Sequence, residues 1–283
     1  MRQTSISVEG PGDQQSRKIA FTDWGDPDNN RVLFCAHGLT RNGRDFDAFA
    51  EVLSSDFRVI CPDAAGRGKS DWLDDREEYG YPLYVKDTAA LMTEVGAAEI
   101  DWVGTSMGGF LGMMLAASKT PPIRRMVVND IGPFMPQSSL VRIAEYLGGG
   151  ETFADVDAVE VHIRNIHATF GPLTDAQWRH MAEHSYRTLD DGKLALHYDP
   201  EIAHGFRKAT GGDIEVWKMW DFIKCPVLAL RGENSDVLPA ETAREMTERG
   251  PRAHLMEFTD TGHAPALVDK DQIAMVRDWL IEA

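Results

Sequence analysis

The stretch that decides the fold is Gly104-Thr105-Ser106-Met107-Gly108, which fits Gly-x-Ser-x-Gly. An apolar run, Ile100 to Val103, precedes it, and small and apolar residues from Gly109 to Ala117 follow. That succession predicts a strand, a sharp turn and a helix, with Ser106 exposed at the strand's carboxyl end. Glycines flank the serine because neighbouring backbone passes close to the turn, where a β-carbon would clash. An exposed hydroxyl beside the free N–H groups of a helix start is the beginning of acyl-transfer chemistry.

Outward from this stretch, short apolar runs alternate with helical patterns. Strands are expected at Ser5–Val8, Lys18–Asp23, Arg31–Ala36, Arg58–Cys61, Ile100–Val103, Arg125–Asn129, Pro226–Leu230 and His254–Phe258. The first two are joined through a turn cluster, Gly10-Pro11-Gly12-Asp13. Between the later strands, apolar residues recur at helical spacing: Phe46, Phe49, Ala50 and Leu53; Tyr84, Val85, Leu91, Met92 and Val95; Ile273, Val276 and Leu280. Such alternation implies an α/β fold, a mostly parallel sheet covered on both faces. The rhythm breaks from Phe134 to about Asp213, where helical patterns occur without a convincing buried strand. The expected organisation is a core of residues 1–133 and 214–283, with a helical cap (134–213) inserted over the carboxyl edge, where ligands of such sheets bind.

Composition narrows the function classes. The 283 residues are 43% hydrophobic and 26% charged, ordinary for a globular chain, and the formal net charge is -16. That charge disfavours nucleic acid and anionic membrane surfaces as partners. The first ten residues carry no signal-peptide pattern and no apolar run is long enough to span a bilayer, so a cytoplasmic protein is expected. Three cysteines, Cys35, Cys61 and Cys225, fit reduced core thiols.

Ser106 needs a general base, and the base needs an acid to hold it. Of nine histidines, His263 lies in Thr261-Gly262-His263-Ala264-Pro265, between the last strand and the last helix. That loop falls on the same sheet edge as Ser106, so His263 is the expected base. Asp236, just past the strand Pro226–Leu230 in Glu233-Asn234-Ser235-Asp236, is the expected acid. Asp130, at the end of the preceding strand, is the alternative, with a turn-holding role at the cap's first hinge as its bland reading. The oxyanion donors are expected to be the backbone N–H groups of Met107 and Leu39, with His37 bracing the Leu39 loop; Arg41 and Asn42, which follow it, are either substrate-facing or surface residues.

These residues resemble an α/β-hydrolase-fold serine hydrolase of the carboxylesterase kind. The resemblance rests on His37-Gly38, Asp63-Ala64-Ala65-Gly66-Arg67-Gly68-Lys69-Ser70, Gly104-Thr105-Ser106-Met107-Gly108-Gly109, Ser235-Asp236 and Gly262-His263. It implies an eight-stranded sheet, a lid over the pocket, a small-molecule ester as substrate, and neither metal nor organic cofactor. Haloalkane dehalogenases and epoxide hydrolases of this fold place Asp where this chain has Ser106. Carbon–carbon bond hydrolases acting on meta-cleavage products usually carry Asn before the nucleophile and Trp after the histidine; here these are Thr105 and Ala264. Cofactor-free haloperoxidases and lactonases share the triad and stand as alternatives beside them, with an ester hydrolase acting on small or medium acyl esters as the reading the resemblance implies first.

Two other motifs point elsewhere. Gly68-Lys69-Ser70 ends like a phosphate-binding loop, but Asp63 occupies the position where the full pattern needs Gly, so a structural turn is expected. His180-Met181-Ala182-Glu183-His184 matches His-x-x-Glu-His, which on a helix sets two histidines one turn apart. A zinc peptidase would use Glu183 as base and a downstream ligand such as Glu201. A non-catalytic ligand-binding protein of the hydrolase fold is the third class; the presence of Ser106, Asp236 and His263 together speaks for the enzyme.

Overall fold

The computed structural model describes residues 1–12 and 16–282. Asp13, expected in the first turn, lies outside the described residues. All eight expected strands form one sheet: β1 (Arg2–Glu9), β2 (Ser16–Trp24), β3 (Val32–Ala36), β4 (Arg58–Pro62), β5 (Ile100–Thr105), β6 (Ile123–Asn129), β7 (Val227–Gly232) and β8 (His254–Phe258). Their spatial order is β1-β2-β4-β3-β5-β6-β7-β8. β1–β2 and β2–β4 pair antiparallel, and every other neighbouring pair is parallel.

Ten helices accompany the sheet among the described residues: α1 (Asp47–Leu53), α2 (Tyr81–Glu94), α3 (Met107–Ala116), α4 (Gln137–Tyr146), α5 (Val156–Ile166), α6 (Asp175–Glu183), α7 (Ile202–Lys208), α8 (Trp217–Phe222), α9 (Ala240–Glu248) and α10 (Lys270–Ile281). Alternate residues of each central strand serve opposite faces. Leu33, Cys35, Val59, Val103, Val127 and Leu228 pack with α1 and α10 through Phe49, Leu53, Ile273 and Val276. Val32, Phe34, Ile60, Trp102, Met126 and Ala229 pack with α2, α3, α8 and α9 through Leu91, Met113, Trp220 and Met246. A strand buried on both sides reads as an unbroken apolar run, which is why β3, β5 and β7 were legible without alternation.

Between β6 and β7 the chain leaves the sheet and supplies α4 to α8. The segment is not wholly helical: two- and three-residue strands at Thr152–Phe153, Tyr186–Thr188 and Leu194–Leu196 form a small antiparallel sheet, and Phe134–Met135 pairs with Ile214–Glu215 where the segment leaves and rejoins the core. Pairs this short carry no periodicity. α5 and α6 enclose a small core of their own, Val159, Ile163, Trp178, Met181, Ala182 and Leu194. α4 and α7 instead bury Leu140, Ile143, Ile202 and Ala203 in the main core. No described helix is long and apolar enough to cross a membrane.

Candidate active site

Ser106 stands between β5 and α3 with φ 52° and ψ -112°, a conformation that L-residues rarely adopt. The flanking glycines make the turn possible. A β-carbon on Gly104 would lie 2.3 Å from the Gly108 carbonyl oxygen, and one on Gly108 would lie 2.1 Å from the Ala36 carbonyl oxygen. Both distances are impossible between real atoms, so neither position accepts a side chain without moving β3 or the helix start. Phe110 N–H closes the first helical bond onto the Ser106 carbonyl, 3.0 Å away. The amides of the first turn, Met107 onward, therefore have no intrahelical partner.

The loop after β8 delivers His263 to this turn. Its Nε2 lies 2.9 Å from Ser106 Oγ, and its Nδ1 lies 2.8 Å from Asp130 Oδ2. A carboxylate only accepts, so Nδ1 carries the proton and Nε2 receives the serine hydroxyl. Thr169 holds this loop from the inserted segment: its hydroxyl donates to the His263 carbonyl at 2.7 Å, and its carbonyl accepts from Gly262 N–H at 2.7 Å. Asn129, at the end of β6, donates to the Pro265 carbonyl at 2.8 Å and to Thr105 Oγ1 at 3.0 Å. It ties the histidine loop to the strand that carries the serine.

The acid at the histidine is Asp130, and the expectation of Asp236 is corrected. Asp130 N–H extends the sheet by one bond, to the Leu230 carbonyl at 2.9 Å. It then takes φ 56°, a left-handed conformation that Asp tolerates better than most residues. The turn buries its carboxylate completely, where it accepts from Gly232 N–H at 2.8 Å and from Ser235 Oγ at 2.5 Å as well as from His263. After β7 a tight turn, Ser235 N–H to the Gly232 carbonyl at 2.9 Å, aims Ser235 inward and Asp236 outward. Asp236 is half exposed and pairs with Arg142 of α4 at 2.6 and 2.9 Å, and its carbonyl accepts from Ser139. Chain order could not separate the two carboxylates, since both lie between Ser106 and His263. Adjacency to the strand end could: Asp130 follows β6 directly, whereas Asp236 lies four residues beyond Gly232.

Leu39, Ser106 and Met107 line the same cavity. Gly38 neighbours the serine: an added β-carbon there would lie in ordinary contact with Ser106 Cβ, 3.9 Å away. His37 braces this loop: its Nδ1 donates to the Gly38 carbonyl at 2.6 Å and its Nε2 accepts from Ala64 N–H at 3.0 Å. Burial lowers its pKa to about 4, so the ring is neutral. Arg67, fully buried, adds a second brace, which nothing in the local pattern Gly66-Arg67-Gly68 announces. It donates to the Leu39 carbonyl at 2.9 Å, to the Ala65 carbonyl at 2.7 Å and to Tyr84 Oη at 2.7 Å, and it lies 3.7 Å from Met107 Sδ. The Gly68-Lys69-Ser70 stretch is a turn closed by Asp63, whose carboxylate accepts from Gly43 N–H and Lys69 N–H at 2.8 Å each.

Ser106 and His263 open into a cavity of about 690 Å³ roofed by the inserted segment, with Met135, Leu140, Ile143 and Phe170 among its apolar walls. Arg41 and Asn42 are buried ties between core and roof rather than surface residues. Arg41 pairs with Asp45 and donates to Ser185 Oγ at 2.8 Å, and Asn42 donates to the His184 carbonyl at 2.8 Å. Cys35 and Cys61 are core residues, and burial first, then Cys61, pushes the Cys35 thiol well above its usual range. The residues proposed for a peptidase zinc site do not converge. Glu183 turns to Arg179 at 3.2 Å and Glu201 to Arg76 at 3.2 Å, leaving His180 and His184 beside Asp47 instead.

This fold and site define a hydrolase, and the chain belongs to the alpha/beta hydrolase family, whose model matches residues 32–276. It is an ester hydrolase of that family. It is 44% identical over 274 residues to the 3-hydroxybutyrate-oligomer hydrolase of Cupriavidus necator, covering 94% of each chain. It is 28% identical to a 2-(acetamidomethylene)succinate hydrolase of Mesorhizobium japonicum over 78% of this chain and 77% of the other. An alpha/beta hydrolase of Novosphingobium aromaticivorans superposes with a TM-score of 0.85 at 34% identity, covering 98% of each chain.

Proposed function

We propose that Ser106, His263 and Asp130 work as a nucleophile, base and acid that cleave carboxylic esters through an acyl-enzyme. The observation that carries this reading is the unbroken chain of hydrogen bonds from Ser106 Oγ through both ring nitrogens of His263 to the buried Asp130 carboxylate. His263 Nε2 takes the hydroxyl proton as Ser106 Oγ bonds to the ester carbonyl carbon, and Asp130 stabilises the imidazolium. The Met107 and Leu39 N–H groups hold the oxyanion, a contribution of about 3 kcal/mol for each donor. The tetrahedral intermediate collapses as its carbon–oxygen bond to the alcohol breaks and His263 protonates the leaving oxygen. Water then attacks the acyl-enzyme, giving its proton to His263, and the acid leaves as Ser106 regains its proton.

The substrate class we infer is short esters of hydroxy acids, 3-hydroxybutyrate oligomers among them. A largely apolar cavity of about 690 Å³ suits a chain of a few such units, and the relative from Cupriavidus necator points the same way. The inserted segment acts in this reading as a lid. Incubation with 3-hydroxybutyrate dimer and trimer, scored by release of the free acid beside p-nitrophenyl butyrate, tests it. Turnover of the oligomers that disappears in Ser106→Ala is expected; oligomer cleavage that survives that substitution overturns the scheme.

A further inference from the structure

We infer that Asp47, His180 and His184 form a binding site for a divalent transition-metal ion of the zinc class, joining α1 of the core to α6 of the inserted segment. One ring nitrogen of each histidine and one carboxylate oxygen of Asp47 lie within 4.8 Å of one another. His180 Nε2 is 3.3 Å from Asp47 Oδ2 and 3.2 Å from the Arg44 carbonyl oxygen. A tetrahedral ion with bonds of roughly 2.0–2.1 Å sets its donors about 3.3–3.4 Å apart, so the His180–Asp47 separation already matches one edge. The two imidazoles face each other with ring centroids 4.4 Å apart, one helical turn along α6.

His180 Nε2 faces two acceptors, the Arg44 carbonyl and the Asp47 carboxylate, and gives up its proton when the ion binds, whereas His184 offers a nitrogen that is already free. His184 Nδ1 lies 2.8 Å from the His180 carbonyl oxygen, which can only accept, so Nδ1 is the protonated nitrogen and Nε2 keeps its lone pair. A backbone carbonyl in that position is the usual fixing partner of a metal-ligating histidine. Asp47 is held rigidly by Arg44, which donates from Nε at 2.8 and 2.9 Å. That guanidinium repels an incoming cation, and the site overcomes it only with a ligand that bonds imidazole nitrogen strongly. Zinc, copper, nickel and cobalt meet that requirement, whereas magnesium and calcium do not. Glu183, the acid of the formal sequence motif, points to Arg179 and takes no part.

Asp47 and His180 also line the cavity that holds Ser106, so an ion bridging them would fasten the roof to the core at the cavity wall. Slower turnover with zinc bound, restored by a chelator, is the functional consequence. Calorimetric titration of the whole protein with Zn²⁺ is expected to show one saturable site. His184→Ala and Asp47→Asn are each expected to weaken it at least about tenfold, while Ser106→Ala binds as wild type does. Visible absorption of the Co²⁺-loaded protein should show the strong bands of tetrahedral coordination, and His184→Ala should lose them. Ester hydrolysis by His184→Ala in the presence of a chelator should equal wild type, which shows that its fold is intact. Absence of saturable binding, or undiminished Zn²⁺ affinity in either folded variant, overturns the proposal.

Discussion

Asp130 and His263 stand 133 residues apart in the chain, yet an oxygen of one lies 2.8 Å from a nitrogen of the other. The acid comes from the end of β6, and the loop after β7 supplies its hydrogen-bond donors instead of a second carboxylate. Asp130→Asn should therefore lower kcat about 10³- to 10⁴-fold, because the amide leaves the imidazole in the wrong tautomer. Asp236→Asn should cost less than about tenfold, since it loosens only a half-exposed pair with Arg142. Steady-state rates on p-nitrophenyl butyrate check both, and an equal loss in the two variants would refute this assignment.

Ser235 donates to Asp130 Oδ2, and its oxygen accepts from Val237 N–H at 3.2 Å and Leu238 N–H at 3.1 Å. Ser235→Ala strips a buried carboxylate of one donor and leaves two amides short of an acceptor. A stability loss of about 1–3 kcal/mol in urea unfolding is expected, together with a kcat reduced roughly tenfold. Unchanged kcat would mean that the hydroxyl does not position the acid.

Arg67 borders the cavity, holds the Leu39 carbonyl and lies against Met107 beside Ser106. Arg67→Lys keeps the charge but cannot reproduce the planar fork of donors. The Leu39 loop should then lose its fixed placement, and kcat should fall about tenfold to a hundredfold with little change in KM, the pattern of a contact made in the transition state. A change confined to KM would assign Arg67 to substrate binding.

His37 links stability to pH. Its pKa, 6.5 when solvated, is lowered to about 4 by burial, so the unfolded chain binds the extra proton first as pH falls. The stabilising contribution of the neutral ring is complete above pH 6.5 and is lost as pH falls from 6.5 to 4, on the order of 3 kcal/mol in all. Asp63 runs the other way, since burial raises its pKa to about 6 and favours the folded state as pH falls. The two effects separate in a difference measurement. The stability gap between wild type and His37→Asn should shrink by about 2–3 kcal/mol between pH 7 and pH 4.5. A gap independent of pH would show that the ring titrates normally.

Gly108→Ala should be among the most damaging single-methyl changes in the chain, because its β-carbon would sit 2.1 Å from a carbonyl oxygen of β3. A loss above about 3 kcal/mol, or failure to accumulate folded protein, is expected from such overlap with backbone. Near-wild-type denaturant stability would contradict the close packing of β3 against α3.

Ser106 and His263 were legible because their neighbours constrain the backbone. Gly-x-Ser-x-Gly and Thr-Gly-His-Ala-Pro are local statements about tight turns, and a turn at the carboxyl end of a strand fixes where its side chain emerges. The eight strands were equally legible, since runs such as Val32–Ala36 and Val227–Leu230 are apolar throughout. The short strands at 152–153, 186–188 and 194–196 were not, because two or three residues hold no period.

What the sequence determined alone was therefore the sheet, its carboxyl edge and the placing of Ser106 and His263 on that edge, each written in a contiguous stretch of chain. The tertiary structure decided which of two carboxylates meets His263, and that His180 and His184 face Asp47 instead of Glu183. The physical reason is common to both: a side chain's direction past a strand end, or across a helix, depends on one turn's dihedral angles and on which opposing charge, Arg142 or Arg179, draws the rival carboxylate away.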